Sequence, residues 1–131
     1  MNTKRILVVD DEPLVLRVLR LALEKKDYIV ETQPNGLAAL ESILASPPDA
    51  LITDIEMPKM SGKELCERIS ADCPNREFPI FVATSQTDLE HRDWSGAIKN
   101  LSFIEKPMSS RKLLASLEKY FKSRDLVHGD V

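Results

Sequence analysis

Residues 6–13 read Ile6-Leu7-Val8-Val9-Asp10-Asp11-Glu12-Pro13, and this octet predicts a buried strand that carries an acidic pair to the start of a helix. Four apolar residues without alternation suit a parallel strand covered by helices on both faces, so strand one is expected over 5–10 near the middle of a sheet. Pro13 suits the first turn of a helix, where its missing N–H costs nothing. That helix is expected to reach about residue 26. Arg17, Arg20 and Glu24 fall on one polar arc and leucines and valines fill the remainder, which predicts a largely buried helix.

The same exchange of periods recurs along the chain. Strand two is expected over 28–32, and Asn35-Gly36 opens a helix through Leu37, Leu40 and Leu44 that ends before Pro47-Pro48. Strand three spans 50–54, and Met57-Pro58-Lys59-Met60 must be loop, with both methionines as packing residues. Ser61 and Glu64 form a capping box for a third helix that runs to about residue 72. Strands four and five fall at 79–84 and 101–105, and a last helix at 110–122 turns Leu113, Leu114, Leu117 and Phe121 inward. Between those strands, Gly96 interrupts a segment bearing Asp88, Glu90, His91, Arg92 and Asp93, which predicts a weak fourth helix within 85–100. Residues 123–131 are expected as a frayed tail. The whole reads as one domain of alternating β and α elements.

Composition narrows the function. With 131 residues, 43% of them hydrophobic, the chain has room for one core. Eighteen basic against 21 acidic residues, a net charge of -3, provide no overall positive field, so neither nucleic acid nor a membrane surface is an expected partner. No apolar run approaches the roughly 20 residues of a membrane span, and the N-terminus lacks the pattern of a signal peptide; a cytoplasmic location is expected. Cys66 and Cys73 lie about two helical turns apart, some 10 Å along the axis, beyond disulfide reach, and neither has a CxxC or HxxxH companion.

Four of the five strands end in polar residues: Asp10-Asp11, Asp54, Thr84-Ser85 and Glu105-Lys106. Each alone is an ordinary helix cap, turn residue or strand end; together they describe a site. Ligands of open parallel sheets sit beyond the carboxyl ends of the strands, and in the flavodoxin-like order 2-1-3-4-5 strands one and three are neighbours, which brings three carboxylates to one rim. Such a cluster repels itself unless a cation compensates, and Mg²⁺, which uses one or two carboxylates and keeps waters, is the natural choice. Lys106 and Thr84 would then meet phosphoryl oxygens. Asp54, held rigidly between a buried strand and a Pro-containing loop, is the best nucleophile for phosphoryl transfer.

These segments, with Thr53-Asp54-Ile55-Glu56-Met57-Pro58-Lys59-Met60-Ser61-Gly62 and Phe103-Ile104-Glu105-Lys106-Pro107, resemble the receiver domains of bacterial two-component response regulators. The resemblance spans residues 4 to about 122, and the separations of 44, 30 and 22 residues between Asp10, Asp54, Thr84 and Lys106 are also similar to the family's. It implies a (βα)5 doubly wound receiver over 1–123 with a C-terminal tail at 124–131. Asp54 is then the phosphorylation site, fed by a histidine kinase or histidine phosphotransfer protein. Mg²⁺ is held by Asp10, Asp11, Asp54 and the backbone carbonyl of Glu56. Lys106 pairs with the phosphoryl group, Thr84 and Phe103 act as the switch, and Pro107 matches a frequent cis-peptide position. Glu56 and Gln86 would tune the phosphoryl lifetime.

On this reading the chain is a phosphoacceptor that assists its own phosphotransfer and dephosphorylation, not an enzyme acting on other substrates. Its altered surface around the fourth helix, strand five and the fifth helix would control an unknown downstream protein or a further domain, and a homodimer is possible in such a scheme. Two departures from the family pattern stand out: Ser85 in place of a common alanine, and Lys99-Asn100-Leu101-Ser102 without the usual Gly-Ala before strand five. With Trp94 and Gly96 they make the fourth helix atypical, which bears on the partner more than on phosphorylation. Two rival readings are a Mg²⁺-dependent phosphohydrolase with an aspartyl nucleophile, for which Glu56 stands where a second aspartate is common, and a receiver-like module that is never phosphorylated.

Overall fold

The apolar run of the opening octet forms β1 (Arg5–Val9), which lies between β2 (Ile29–Gln33) and β3 (Ala50–Asp54) in a sheet continued by β4 (Ile80–Thr84) and β5 (Leu101–Glu105). The computed structural model describes residues 3–85 and 94–129. All four strand pairs are parallel and the order is β2-β1-β3-β4-β5, as the sequence predicts. Successive residues of β1 point to opposite faces, and each face has its own apolar layer. Leu7 and Val9 join Leu40, Ile43, Leu65 and Ile69 on the side of α2 (Gly36–Ala45) and α3 (Gly62–Asp72). Ile6 and Val8 join Leu19, Leu23, Leu113 and Leu117 on the side of α1 (Pro13–Glu24) and α4 (Ser110–Gly129). This two-sided cover explains the absence of alternation in β1, β3 and β4.

Local signals behave as expected. Asn35 caps α2 by accepting the Ala38 N–H at 2.8 Å. Ser61 and Glu64 exchange hydrogen bonds of 3.1 Å each in a complete capping box. Met60 is buried and Met57 packs on the same cluster. Cys66 and Cys73 are both free thiols.

Two expectations are corrected. α1 is not largely buried: only Leu19 and Leu23 are fully inward, and Leu14 is 68% exposed, with Val18 and Leu21 about half exposed. A helix lying on one face of a sheet buries a single stripe, so the abundance of leucine in α1 overstated its burial. The last helix, numbered α4 because only described helices are counted, does not stop at 122 but continues to Gly129. Residues 123–128 contain neither Pro nor Gly, and Gly129 is the first residue there with low helix propensity. The expected weak helix within 85–100 lies mostly outside the described residues. Trp94 and Ser95 are helical, and the chain turns through 96–100 into β5.

Candidate functional site

The strand order reverses direction between β1 and β3, and the carboxyl ends of these strands place Asp10 and Asp54 side by side. Asp10 directly follows β1 and is 2% exposed; Asp54 closes β3 and is 3% exposed. Asp11 is exposed at the same rim, and one carboxylate oxygen from each of the three lies within 4.8 Å of the others. Lys106 follows β5 and reaches past the end of β4, so that its Nζ stands 2.7 Å from Asp54 Oδ1. The backbone supports this reach, because Lys106 N donates to Thr84 O at 2.8 Å. Thr84, buried at the end of β4, is the register partner of Glu105.

The electrostatics are unbalanced. Burial pushes the Asp10 carboxyl up to about 6, opposed by the Glu12 N–H that donates to Asp10 Oδ1 at 2.9 Å and reinforced by the charges of Asp54 and Asp11 against that of Lys106. Burial also works against the Lys106 ammonium, yet the hydrogen-bonding and charge of Asp54, aided by Asp10 and Glu12, outweigh it and raise its pKa. Apart from this pairing with Lys106, Asp54 Oδ1 has no donor among the described residues although it is fully buried. Three carboxylates facing one ammonium, with a buried oxygen in reserve and one member open to water, fit a hard divalent cation that retains part of its hydration.

The loop after β3 is tightly folded. Gly62 N donates to Ile55 O and Met60 N to Pro58 O, each at 2.7 Å, and Lys59 has a φ of 67°. Glu56 is exposed in this loop. Phe103, half-buried in β5, meets the edge of Trp94 with ring centroids 5.9 Å apart, and both pack on the α2/α3 cluster. The Lys106–Pro107 peptide is cis. Gln86 and His91 lie outside the described residues. A groove of about 540 Å³ adjoins the site, lined by Asp10, Lys106 and Pro107 and by the apolar side of α1, including Leu14 and Val18. The structure brings Asp10, Asp11, Asp54 and Lys106, all singled out in the sequence, to this rim, whereas nothing in the sequence signalled the Glu12 N–H that bonds Asp10. Sequence reading also missed the packing of α2 on the β3–α3 loop, because Gly36 carried no signal beyond that of a helix start.

The model of the response regulator receiver domain matches residues 6–118. The chain belongs to that family. It is 34% identical over 113 residues to the response regulators MprA of Mycobacterium ulcerans and of Mycobacterium tuberculosis, matches that cover 86% of this chain and 48% of each relative. The chain thus spans about half the length of these curated relatives. Among solved structures, chemotaxis protein CheY4 of Vibrio cholerae superposes with a TM-score of 0.82 at 26% identity, covering 90% of this chain and 98% of that one. A CheY-like receiver domain from Methanospirillum hungatei gives 0.85 at 27% identity, covering 95% and 98%. The fold, the family and a signalling role within two-component systems follow. No helix among the described residues is long and apolar enough to cross a membrane.

Proposed function

We propose that Asp54 accepts a phosphoryl group from the phosphohistidine of a histidine kinase or phosphotransfer protein, which makes the chain a phosphorylation switch. The observation that carries this reading is the buried Asp54 Oδ1, met among the described residues by Lys106 Nζ alone, at 2.7 Å, within an acidic trio. A carboxylate oxygen of Asp54 forms the new O–P bond as the P–N bond breaks, and the imidazole leaves with the electron pair and is reprotonated from water. The product is an acyl phosphate. Asp10, Asp11, Asp54 and the carbonyl of Glu56 hold Mg²⁺, which supplies neutralising charge for the carboxylates and the phosphoryl oxygens.

Lys106 exchanges its partner from the Asp54 carboxylate to a phosphoryl oxygen, so its positive charge stays matched through the reaction. Thr84 offers its hydroxyl to another oxygen, and Phe103 repacks in response. The consequence is a changed surface around residues 94–105 and α4, read by a downstream protein, a further domain or a second copy of the chain. Water attack at phosphorus, assisted by the same residues, breaks the Asp54 O–P bond, releases inorganic phosphate and returns Asp54 to its carboxylate. The receiver unit is 1–123, with 124–131 as its tail, and its setting is the cytoplasm.

The test is intact-mass analysis after incubation with a small phosphodonor and Mg²⁺. The wild type gains one phosphoryl group and Asp54→Asn gains none. An unmodified wild type, or equal modification of the variant, overturns the reading. Multiple turnover of a phosphomonoester would identify a hydrolase instead.

A further inference from the structure

Gly36, the first residue of α2, is buried against the loop that follows the phosphoacceptor strand. A Cβ placed on it would stand 2.4 Å from Met60 O and 2.9 Å from Met60 Cβ, so the helix start and the loop meet with no clearance. Two residues after Met60, a Cβ on Gly62 would stand 2.3 Å from Asp54 O and 2.8 Å from Ile55 Cα. The two contacts act in series. α2 presses on Met60, Met60 leads through Ser61 to Gly62, and Gly62 abuts the backbone of Asp54 and is tied to Ile55 O by a 2.7 Å hydrogen bond. Met60 cannot retreat without loss, because its side chain is buried in the α2/α3 cluster.

We infer that Gly36 is a positioning residue for the phosphoacceptor: the start of α2 sets the height of the β3–α3 loop and, through Met60 and Gly62, the placement of Asp54 and of the Glu56 carbonyl. The inference rests on the proposed phosphoacceptor role of Asp54. Its structural core, that α2 places the loop, does not depend on it. Phosphoryl transfer depends steeply on alignment, and a displacement near 1 Å is enough to cost about two orders of magnitude in rate. Gly36→Ala drives a methyl group into a backbone oxygen, so the loop must give way.

The experiment compares wild type, Gly36→Ala and Asn35→Ala. Asn35→Ala weakens the same end of α2 by removing the cap to Ala38 N but inserts nothing against the loop. Three readouts are taken on folded protein: Mg²⁺ affinity by calorimetry, the rate of modification by a small phosphodonor, and the amide shifts of Ile55 and Gly62 without metal. Gly36→Ala is expected to bind Mg²⁺ at least about threefold more weakly and to be modified at least about tenfold more slowly, with both amides displaced. Asn35→Ala is expected to match the wild type in all three.

A Gly36→Ala protein that melts lower but keeps wild-type Mg²⁺ affinity and amide shifts overturns the inference, as does an equal loss in Asn35→Ala. Should Gly36→Ala fail to fold, Met60→Gly leaves the backbone oxygen in place but removes the Met60 Cβ that faces Gly36 and the buried side chain that holds the loop against α2, and an unchanged Mg²⁺ affinity there overturns it. A wild type that takes no phosphoryl group refutes the phosphoacceptor reading, while the metal and amide measurements still decide the placement by α2.

Discussion

The two ends of the sheet each hold a cation, Arg76 buried and Lys106 partly exposed, and they treat it differently. At the amino end, Arg76 is 7% exposed, donates through Nη1 to Phe78 O at 2.5 Å and through Nη2 to Lys99 O, and lies over the Phe78 ring. Its neighbours are also closed on one another: Tyr120 Oη accepts from Asn100 Nδ2 at 3.1 Å and donates to Glu77 O at 3.3 Å. At the carboxyl end, Lys106 pairs with Asp54, one of three clustered carboxylates, and the Asp54 oxygen it meets has no other donor among the described residues. A cavity of about 710 Å³ lies at the satisfied end, whereas the groove beside Asp10 and Lys106 is about 540 Å³. Cavity size therefore does not locate the chemistry. Uncompensated buried charge does.

The largest effect on stability is expected from Arg76→Met. The substitution keeps the apolar stem but leaves the Phe78 and Lys99 carbonyls without their donor in a buried setting, at a cost of about 2–4 kcal/mol. Urea unfolding measures the loss. Mg²⁺ affinity, measured on the folded variant, should not change, since Arg76 stands at the opposite end of the sheet. An equal fall in both would break the contrast between a structural and a functional end.

Next in size, and opposite in sign, is Asp10→Asn. Burial raises the Asp10 pKa from 3.8 to about 6. A carboxyl with a raised folded-state pKa contributes stability that is complete below the unfolded value and disappears as pH climbs through the folded one. Without metal, the wild type should thus lose up to about 3 kcal/mol from this group between pH 4 and pH 7. Asn at this position removes that slope, so the variant is more stable than wild type at pH 7 and binds Mg²⁺ more weakly. Saturating Mg²⁺ should flatten the wild-type slope as well. Thermal melts across pH, with and without the ion, check all three statements, and a steeper slope in the variant would refute the account.

A smaller loss, about 1 kcal/mol, is expected for Ser61→Ala, which removes the acceptor of the Glu64 N–H at the start of α3. This cap stands within the loop of the functional end, yet its role is local to the helix. Denaturant melts should register it.

The legible parts of the molecule were those in which a residue type has a local consequence. Pro13, the Asn35 cap, the Ser61/Glu64 box and the unalternating strands announce their elements, and acidic residues at the ends of β1 and β3 announce a rim once the strands are put in order. Arg76 was silent because its partners are backbone carbonyls at Phe78 and Lys99, and carbonyls have no sequence signature. Gly36 was silent for a related reason: what it touches is the backbone of a loop distant in sequence. Leu14 and Val18 misled because apolar type does not reveal which stripe of α1 faces the sheet.

The smallest effect is expected from alkylating Cys73, which lines the cavity at the amino end and is partly exposed. Modification there should alter neither Mg²⁺ affinity nor the rate of phosphorylation. Cys66 provides the sharper half of the same measurement. It is fully buried on α3, and burial pushes its thiol up to about 12, so almost no thiolate exists in the folded state and no reagent reaches it. In the unfolded chain the thiol returns to an ordinary value near 8.5 and reacts readily. Labelling of Cys66 should then follow the population of open molecules and stay slow in the wild type. Arg76→Met should accelerate it by the same factor by which it raises that population, whereas Asp10→Asn at pH 7 should retard it. Equal labelling rates in the two variants would mean that the charges at the two ends of the sheet do not act on global stability with opposite signs.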